Sequence, residues 1–205
     1  MNTARDLVIV AMEVPADHPV ETGDLSLALA GAELLDLAES GAVRLDDVRI
    51  VPGTAVPADR RLAEAAEALL RSEPYEKVDD WLWRRGRGLS ASYVADLERD
   101  GLTARKRDHR ISLGGGRRVL ADSPERSRAE RRLDAGEPLL AALAAEVGIR
   151  ELPPADRQST ERTREPEETV ATVLAAVGGA VTELEGVRRR RAVEDAAYEN
   201  VWRGL

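Results

Sequence analysis

GDLSLALAGAELLDLAESGAVRL, residues 23–45, decides the fold. From Leu25 to Ser40 nearly every side chain is apolar or small. Leu27, Ala30, Leu34 and Leu37 share one face at helical spacing, and the other faces are almost as apolar. A surface helix keeps one polar side, whereas a helix that is apolar all round belongs in an interior. The stretch therefore predicts a central, buried helix over 25–40, with Gly41 placed to cap its C-terminus. Immediately after it, Val43-Arg44-Leu45 and Val48-Arg49-Ile50 alternate at period two around Asp46-Asp47. That is the pattern of a short hairpin, ended by Pro52-Gly53.

Helices are expected on both sides. Thr3 and Asp6 have the spacing of a capping box opening a helix through Met12, with a strand as the competing reading of Val8-Ile9-Val10. Residues 59–71 place Leu62, Ala65, Ala66, Leu69 and Leu70 on one amphipathic face. Glu76 to Arg85 reads as a shorter helix carrying Trp81 and Trp83. Gly86 and Gly88 interrupt it, and Leu89, Tyr93 and Leu97 fall in register on a helix ending before Gly101. Short strands are expected between Leu102 and Leu120. Ser123-Pro124 and Glu137-Pro138 open two further helices. Residues 150–166, rich in Pro, Arg and Glu without an apolar period, predict a mobile linker. In the C-terminal helix Glu185/Arg189, Arg190/Glu194 and Arg191/Asp195 have i, i+4 spacing for ion pairs. The expected fold is one mainly α domain over 1–205: a hydrophobic helical core ringed by amphipathic helices, with short β-hairpins.

Composition narrows the function. The 205 residues carry a net charge of −8 and no Cys, which excludes disulfides and thiolate chemistry. Residues 84–132 nonetheless hold 14 Arg/Lys against 7 Asp/Glu, a surplus of 7, so the remainder carries −15. A basic face on an acidic body suits one defined anionic partner rather than a nucleic-acid coat; a solvated, Arg-rich surface is the alternative. The N-terminal apolar run, Leu7 to Met12, is too short for a signal peptide. The longest uncharged run is Thr169 to Thr182, against the roughly 20 residues of a membrane span. A cytoplasmic protein is expected, with any membrane contact peripheral, at the inner face of the cell membrane.

No catalytic constellation stands out. Neither His18 nor His109 has a triad context, and no enzyme activity, cofactor or metal is expected. Gly86 to Ala91 fits the loose dinucleotide fingerprint but lacks the apolar strand that must precede it. Gly114-Gly115-Gly116 could cradle phosphate or simply turn a hairpin. Arg188 to Arg191 reads as the exposed side of a helix, paired to neighbouring acids. The segment Trp81-Leu82-Trp83-Arg84-Arg85-Gly86-Arg87-Gly88 differs: guanidiniums beside indoles, without an acid among them. Trp favours the membrane–water interface, and Arg binds phosphate in bidentate fashion. Trp81 is expected to fill the core.

These stretches resemble the Golgi phosphoprotein 3 family in its compact bacterial, actinomycete-type members. The resemblance rests on ARDLVIVAM, the quoted 23–45 segment, IVPG, PYEKVDDWLWRRGRGLS, DLERDGL and DSPERSRAERRLDAGEPLLAALAAEVGI, in order through residues 4–149. It implies a hydrophobic helical core ringed by amphipathic helices, with short hairpins. It also implies binding of phosphatidylinositol 4-phosphate, and an adaptor role in which eukaryotic members hold glycosyltransferase tails. Residue by residue the family's headgroup site carries over in part. The arginine of its central helix corresponds to Ala30, and its tryptophan has no counterpart near Glu21 or Thr22. Of two basic residues three apart, one falls on Arg87 and the other on Ser90. The expected headgroup site is therefore Trp83, Arg84, Arg85, Arg87 and Ser90, for an anionic phospholipid or phosphoinositide. Arg87 is selected by both lines of reasoning, and Arg188 is expected to take no part. A winged-helix-like nucleic-acid regulator using Arg105 to Arg118 and a protein scaffold without lipid affinity are the alternatives.

Overall fold

The computed structural model describes residues 2–15, 18–105, 118–149 and 164–203. Among them are eight helices and two antiparallel hairpins. In chain order these are α1 (Thr3–Glu13), α2 (Thr22–Glu39), β1 (Val43–Asp46), β2 (Arg49–Pro52), α3 (Arg60–Glu67), α4 (Val78–Arg85), α5 (Leu89–Arg99), β3 (Thr103–Arg105), β4 (Arg118–Leu120), α6 (Pro124–Asp134), α7 (Pro138–Glu146) and α8 (Arg164–Arg203). As its composition demands, α2 is the centre: every residue from Leu25 to Leu37 is buried. It touches α1, α3, α4, α5, α7 and α8, so the fold is mainly α, a helical core ringed by helices.

Burial in α2 extends to its acids. Glu33 is fully buried, and Asp36 is nearly so. Asp36 Oδ2 accepts from the N–H groups of Thr3 and Ala4 at 2.8 and 3.4 Å, satisfying donors that the first turn of α1 leaves open. Asn2, not Thr3, is the side-chain cap of α1. Asp6, expected to complete a capping box, instead pairs with Arg128 and Arg132 of α6.

Other boundaries shift for physical reasons. The first hairpin pairs Asp46 with Arg49, so its turn is Asp47-Val48, one residue later than the alternation suggested. Asp47 takes the left-handed conformation there. Helix α3 stops at Glu67, and Leu70, read as part of the apolar face, is half exposed. Helix α8 begins at Arg164, inside the expected linker, the rest of which lies outside the described residues, as do residues 106–117 with Gly114, Gly115 and Gly116.

Helix α8 lies antiparallel on α2 at close range. A Cβ on Gly31 would come 2.5 Å from Val177 Cγ2, and one on Gly23 2.7 Å from Leu184 Cδ2. Val173, Val177 and Ala180 are buried in this contact. By length and composition Glu167–Ala196 is also long and apolar enough to cross a membrane, which a count of uncharged residues alone did not anticipate. Because α2 begins at Thr22, α8 outruns it. From Arg189 the helix continues to Arg203, about 22 Å at roughly 1.5 Å per residue.

Candidate functional site: the corner between α4 and α5

The chain turns from α4 into α5 through Gly86-Arg87-Gly88, and each glycine is required. A Cβ at Gly86 would lie 2.6 Å from the Leu82 carbonyl oxygen and 3.2 Å from that of Ser26, so the corner is pressed against the α2 backbone. Gly88 has φ +69°, a conformation costly for residues with a side chain. Between them Arg87 is exposed and makes no ion pair or hydrogen bond among the described residues. It stands at the N-terminus of α5, whose N-cap residue, Gly88, has no side chain to cap it. The Leu89 N–H is taken by the Gly86 carbonyl and the Ser90 N–H by Ser26 Oγ, so what this end offers an anion is the positive pole of the helix dipole rather than a row of open donors.

Two serines fix this corner on the start of α2, which also has no side-chain cap. The Ser26 hydroxyl donates to the Thr22 carbonyl at 2.8 Å. Ser90 N–H donates to Ser26 Oγ at 3.2 Å, and the two hydroxyls lie 2.9 Å apart. Two helix N-termini thus converge on one surface. Asp24 in the first turn of α2 is held there by Arg188, in a bidentate pair of 2.6 and 3.0 Å.

Residues 4–185 match the family model described as Golgi phosphoprotein 3 (GPP34). The chain belongs to the Golgi phosphoprotein 3 family. No curated protein matches the chain. The family match stops short of Arg188 and of the overhanging end of α8.

Within this family fold the expected site residues separate into inward and outward sets. Arg85 is turned inward: its Nε and Nη2 donate to the two oxygens of Glu33 at 2.7 and 3.0 Å. The Tyr93 hydroxyl donates to Glu33 Oε1 at 3.1 Å. Burial pushes the Glu33 carboxyl above its ordinary range, against the pull of Arg85 and Tyr93. Arg84 clamps the buried Glu76 carboxylate with two bonds of 2.7 Å and lies over the Trp81 ring. The expectation that the arginine trio lacks nearby acids is therefore corrected for two of the three. Ser90 is buried with its hydroxyl committed to α2, which makes it a fastener of the corner rather than a surface donor. Trp83 is half-buried against the core. Trp81 fills the core as expected, donating its indole N–H to the Ala30 carbonyl at 3.0 Å. Ala30, where eukaryotic members have an arginine, is fully buried.

The charge surplus along 84–132 is similarly reduced in space. Arg99, Arg126, Arg128 and Arg132 all bind acids, several supplied by α1 and one by Glu137, the cap of α7. What the sequence reading missed is the first turn of α2, with Thr22 and Ser26, and the presence of Arg188 beside it. The signal available was the polar cluster Glu21 to Ser26 at the head of an otherwise apolar helix.

Proposed function

We propose that this protein is a non-enzymatic peripheral membrane protein that binds anionic lipid headgroups, phosphatidylinositol 4-phosphate-like by family resemblance, at the α4–α5 corner. The same resemblance extends the proposal to an adaptor role, holding partner proteins at the inner face of the cell membrane. The observation that carries the reading is Arg87: a guanidinium with no ion pair or hydrogen bond among the described residues, on a corner built by Gly86 and Gly88 at the N-terminus of α5. Arg85 and Ser90 support that corner from within, while exposed Arg84, held by Glu76, and half-buried Trp83 border it in sequence.

Co-sedimentation with phosphatidylcholine vesicles, alone or containing phosphatidylserine or phosphatidylinositol 4-phosphate, tests this. Binding is expected only to the anionic vesicles and to fall with salt, because attraction to a charged surface decays over roughly 8–10 Å. Equal binding to neutral vesicles overturns the proposal. Duplex DNA is the control, with affinity no tighter than the non-specific range of about 10⁻⁶ M expected.

A further inference from the structure

The first hairpin leaves one of its two edges open. Ile50 of β2 donates its N–H to the Glu76 carbonyl at 2.8 Å rather than to Leu45 opposite it. Pro52, opposite Val43, has no N–H to give. Bonded and non-bonded pairs alternate along an antiparallel ladder. Arg44 and Asp46 therefore bond β2, and the N–H and C=O groups of Val43 and Leu45 point away from it. None of those four groups has a hydrogen-bond partner among the described residues. The far edge of β2 is covered, because Val78 N–H also donates to the Val48 carbonyl, at 2.9 Å. Among the described residues nothing pairs with the edge of β1.

That edge borders a cavity of about 670 Å³, lined by all four residues of β1. Leu35 and Ala38 of α2, Leu139 of α7 and Val170 of α8 give the cavity an apolar wall. Four further lining residues, Glu39, Asp46, Asp47 and Glu168, are acids without an ion pair among the described residues. Against them stand Arg44 and Arg132, and Arg132 is already held by Asp6 and Glu137. The lining therefore carries a surplus of negative charge. It lies at the C-terminal end of α2, whereas the α4–α5 corner is fixed to the N-terminal end.

We propose that this cavity takes an extended, basic peptide segment of a partner protein as an added strand on β1. Pairing with Val43 and Leu45 satisfies backbone groups that are costly to leave unpaired, above all at buried Val43. Alternate side chains of a strand point to opposite faces, so one set meets the apolar wall and the other the acids. In strand addition the main-chain bonds give affinity, and pockets for alternate side chains give specificity. Charge selects the occupant. A second copy of this edge would set Asp46 and Asp47 against their own equivalents, whereas lysine or arginine side chains answer them. The inference stands on the geometry of this edge and needs no residue of the headgroup corner.

The probe is a fluorescein-labelled peptide of alternating lysine and valine, (Lys-Val)₃-amide, titrated without lipid against the full-length protein. Anisotropy should report binding. Hydrogen exchange by NMR should show the Leu45 N–H becoming protected, while those of Arg44 and Asp46, already bonded to β2, stay as they were. The same peptide N-methylated along its backbone keeps its charges and cannot donate, so its binding should be lost. A peptide with glutamate in place of lysine should not bind. Glu39→Lys/Glu168→Lys, at two exposed positions, should weaken the lysine peptide about 10-fold with unchanged thermal unfolding. Equal affinity for the N-methylated peptide, or an unprotected Leu45 N–H in the complex, overturns strand addition. Equal affinity for the glutamate peptide, or an unaffected double variant, overturns the basic occupant. Absence of binding, or a concentration-dependent dimer that protects Leu45 without peptide, overturns the inference as a whole. With no lipid present, each of these results leaves the headgroup reading standing, and that reading fails only by co-sedimentation.

Discussion

Arg85 and Arg87 are two residues apart and do opposite work. Arg85 closes α4 and reaches inward to Glu33, a carboxylate with no exposure to solvent. Arg87 sits past Gly86, where the chain has turned, and makes no ion pair or hydrogen bond among the described residues. A basic cluster in sequence is thus divided by one glycine into a structural cation and a free one. The difference teaches that a guanidinium's availability depends on which acids the core has buried nearby. Here α2 buries Glu33 and Asp36, and the helices around it must answer them.

The largest effect should come from the inward member. Arg85→Ala leaves Glu33 buried without its cation, a change that costs about 3–5 kcal/mol when a buried pair is broken on one side. Denaturant unfolding should show it. The pair replaced together, Glu33→Leu with Arg85→Met, should recover most of that loss, because a well-packed apolar pair avoids both desolvation penalties. If the double replacement is as unstable as Arg85→Ala alone, the corner depends on the ion pair for its geometry and not merely for its charge balance.

Asp36 extends the comparison to a buried acid with no cation bonded to it. Burial pushes its carboxyl up to about 6 from 3.8, despite the N–H groups of Thr3 and Ala4. The native protein therefore holds this proton more tightly than the unfolded chain does. The resulting stabilisation is complete below about pH 4 and is lost as pH rises through about 6, a span worth about 2–3 kcal/mol. Glu33 is shifted in the same direction, so the comparison needed is with Asp36→Asn, which keeps the shape and removes this one titration. The two stability–pH curves should diverge between those limits; parallel curves would show that Asp36 does not hold its proton.

Much of this architecture was legible because α2 is so apolar: its burial, the glycine stop after it and the ring of amphipathic helices follow from residues 23–45 and the periodic stretches around them. The Ser123 cap and the Gly86 and Gly88 break were equally plain, since a cap or a left-handed turn uses residues adjacent in sequence. The partners of Arg84 and Arg85 were not legible, because Glu76 and Glu33 reach them only when helices pack. A clue was present all the same: acids inside an apolar helix, such as Glu33 and Asp36, need donors, and Arg85 was near enough in the fold to be one. The overhang of α8 was hidden for a different reason. Periodicity shows where a helix runs but not where its neighbour starts, and it is the start of α2 at Thr22 that lets α8 run on past it.

Close packing gives a smaller version of the same inner and outer contrast. Gly31→Ala puts a methyl 2.5 Å from Val177 Cγ2, and overpacking of this kind costs about 1–3 kcal/mol. Gly179, on α8, has no atom within 4 Å of its Cβ position. Gly179→Ala should stabilise the helix by up to about 1 kcal/mol through propensity alone. Equal shifts in thermal midpoint for the two variants would mean that α8 does not pack on α2 as closely as the glycine contacts require.

The smallest effect on stability, and the most informative, belongs to Arg87. It has no partner to lose among the described residues, so Arg87→Ala should change folding stability by no more than about 0.5 kcal/mol. Losing one charge-assisted contact should weaken binding to anionic vesicles by about 1.5–3 kcal/mol, roughly 10- to 150-fold. Arg188→Ala no longer serves as a distant control, because its guanidinium holds Asp24 beside the same corner; removing it should both loosen α8 and leave a negative charge facing the anion. Arg44 is the better control, an exposed arginine on β1 with no ion pair among the described residues. If Arg44→Ala weakens vesicle binding as much as Arg87→Ala does, the attraction belongs to diffuse surface charge. If only Arg87→Ala weakens it, with thermal unfolding unchanged, the glycine-flanked corner is the headgroup site and the division between Arg85 and Arg87 is functional as well as structural.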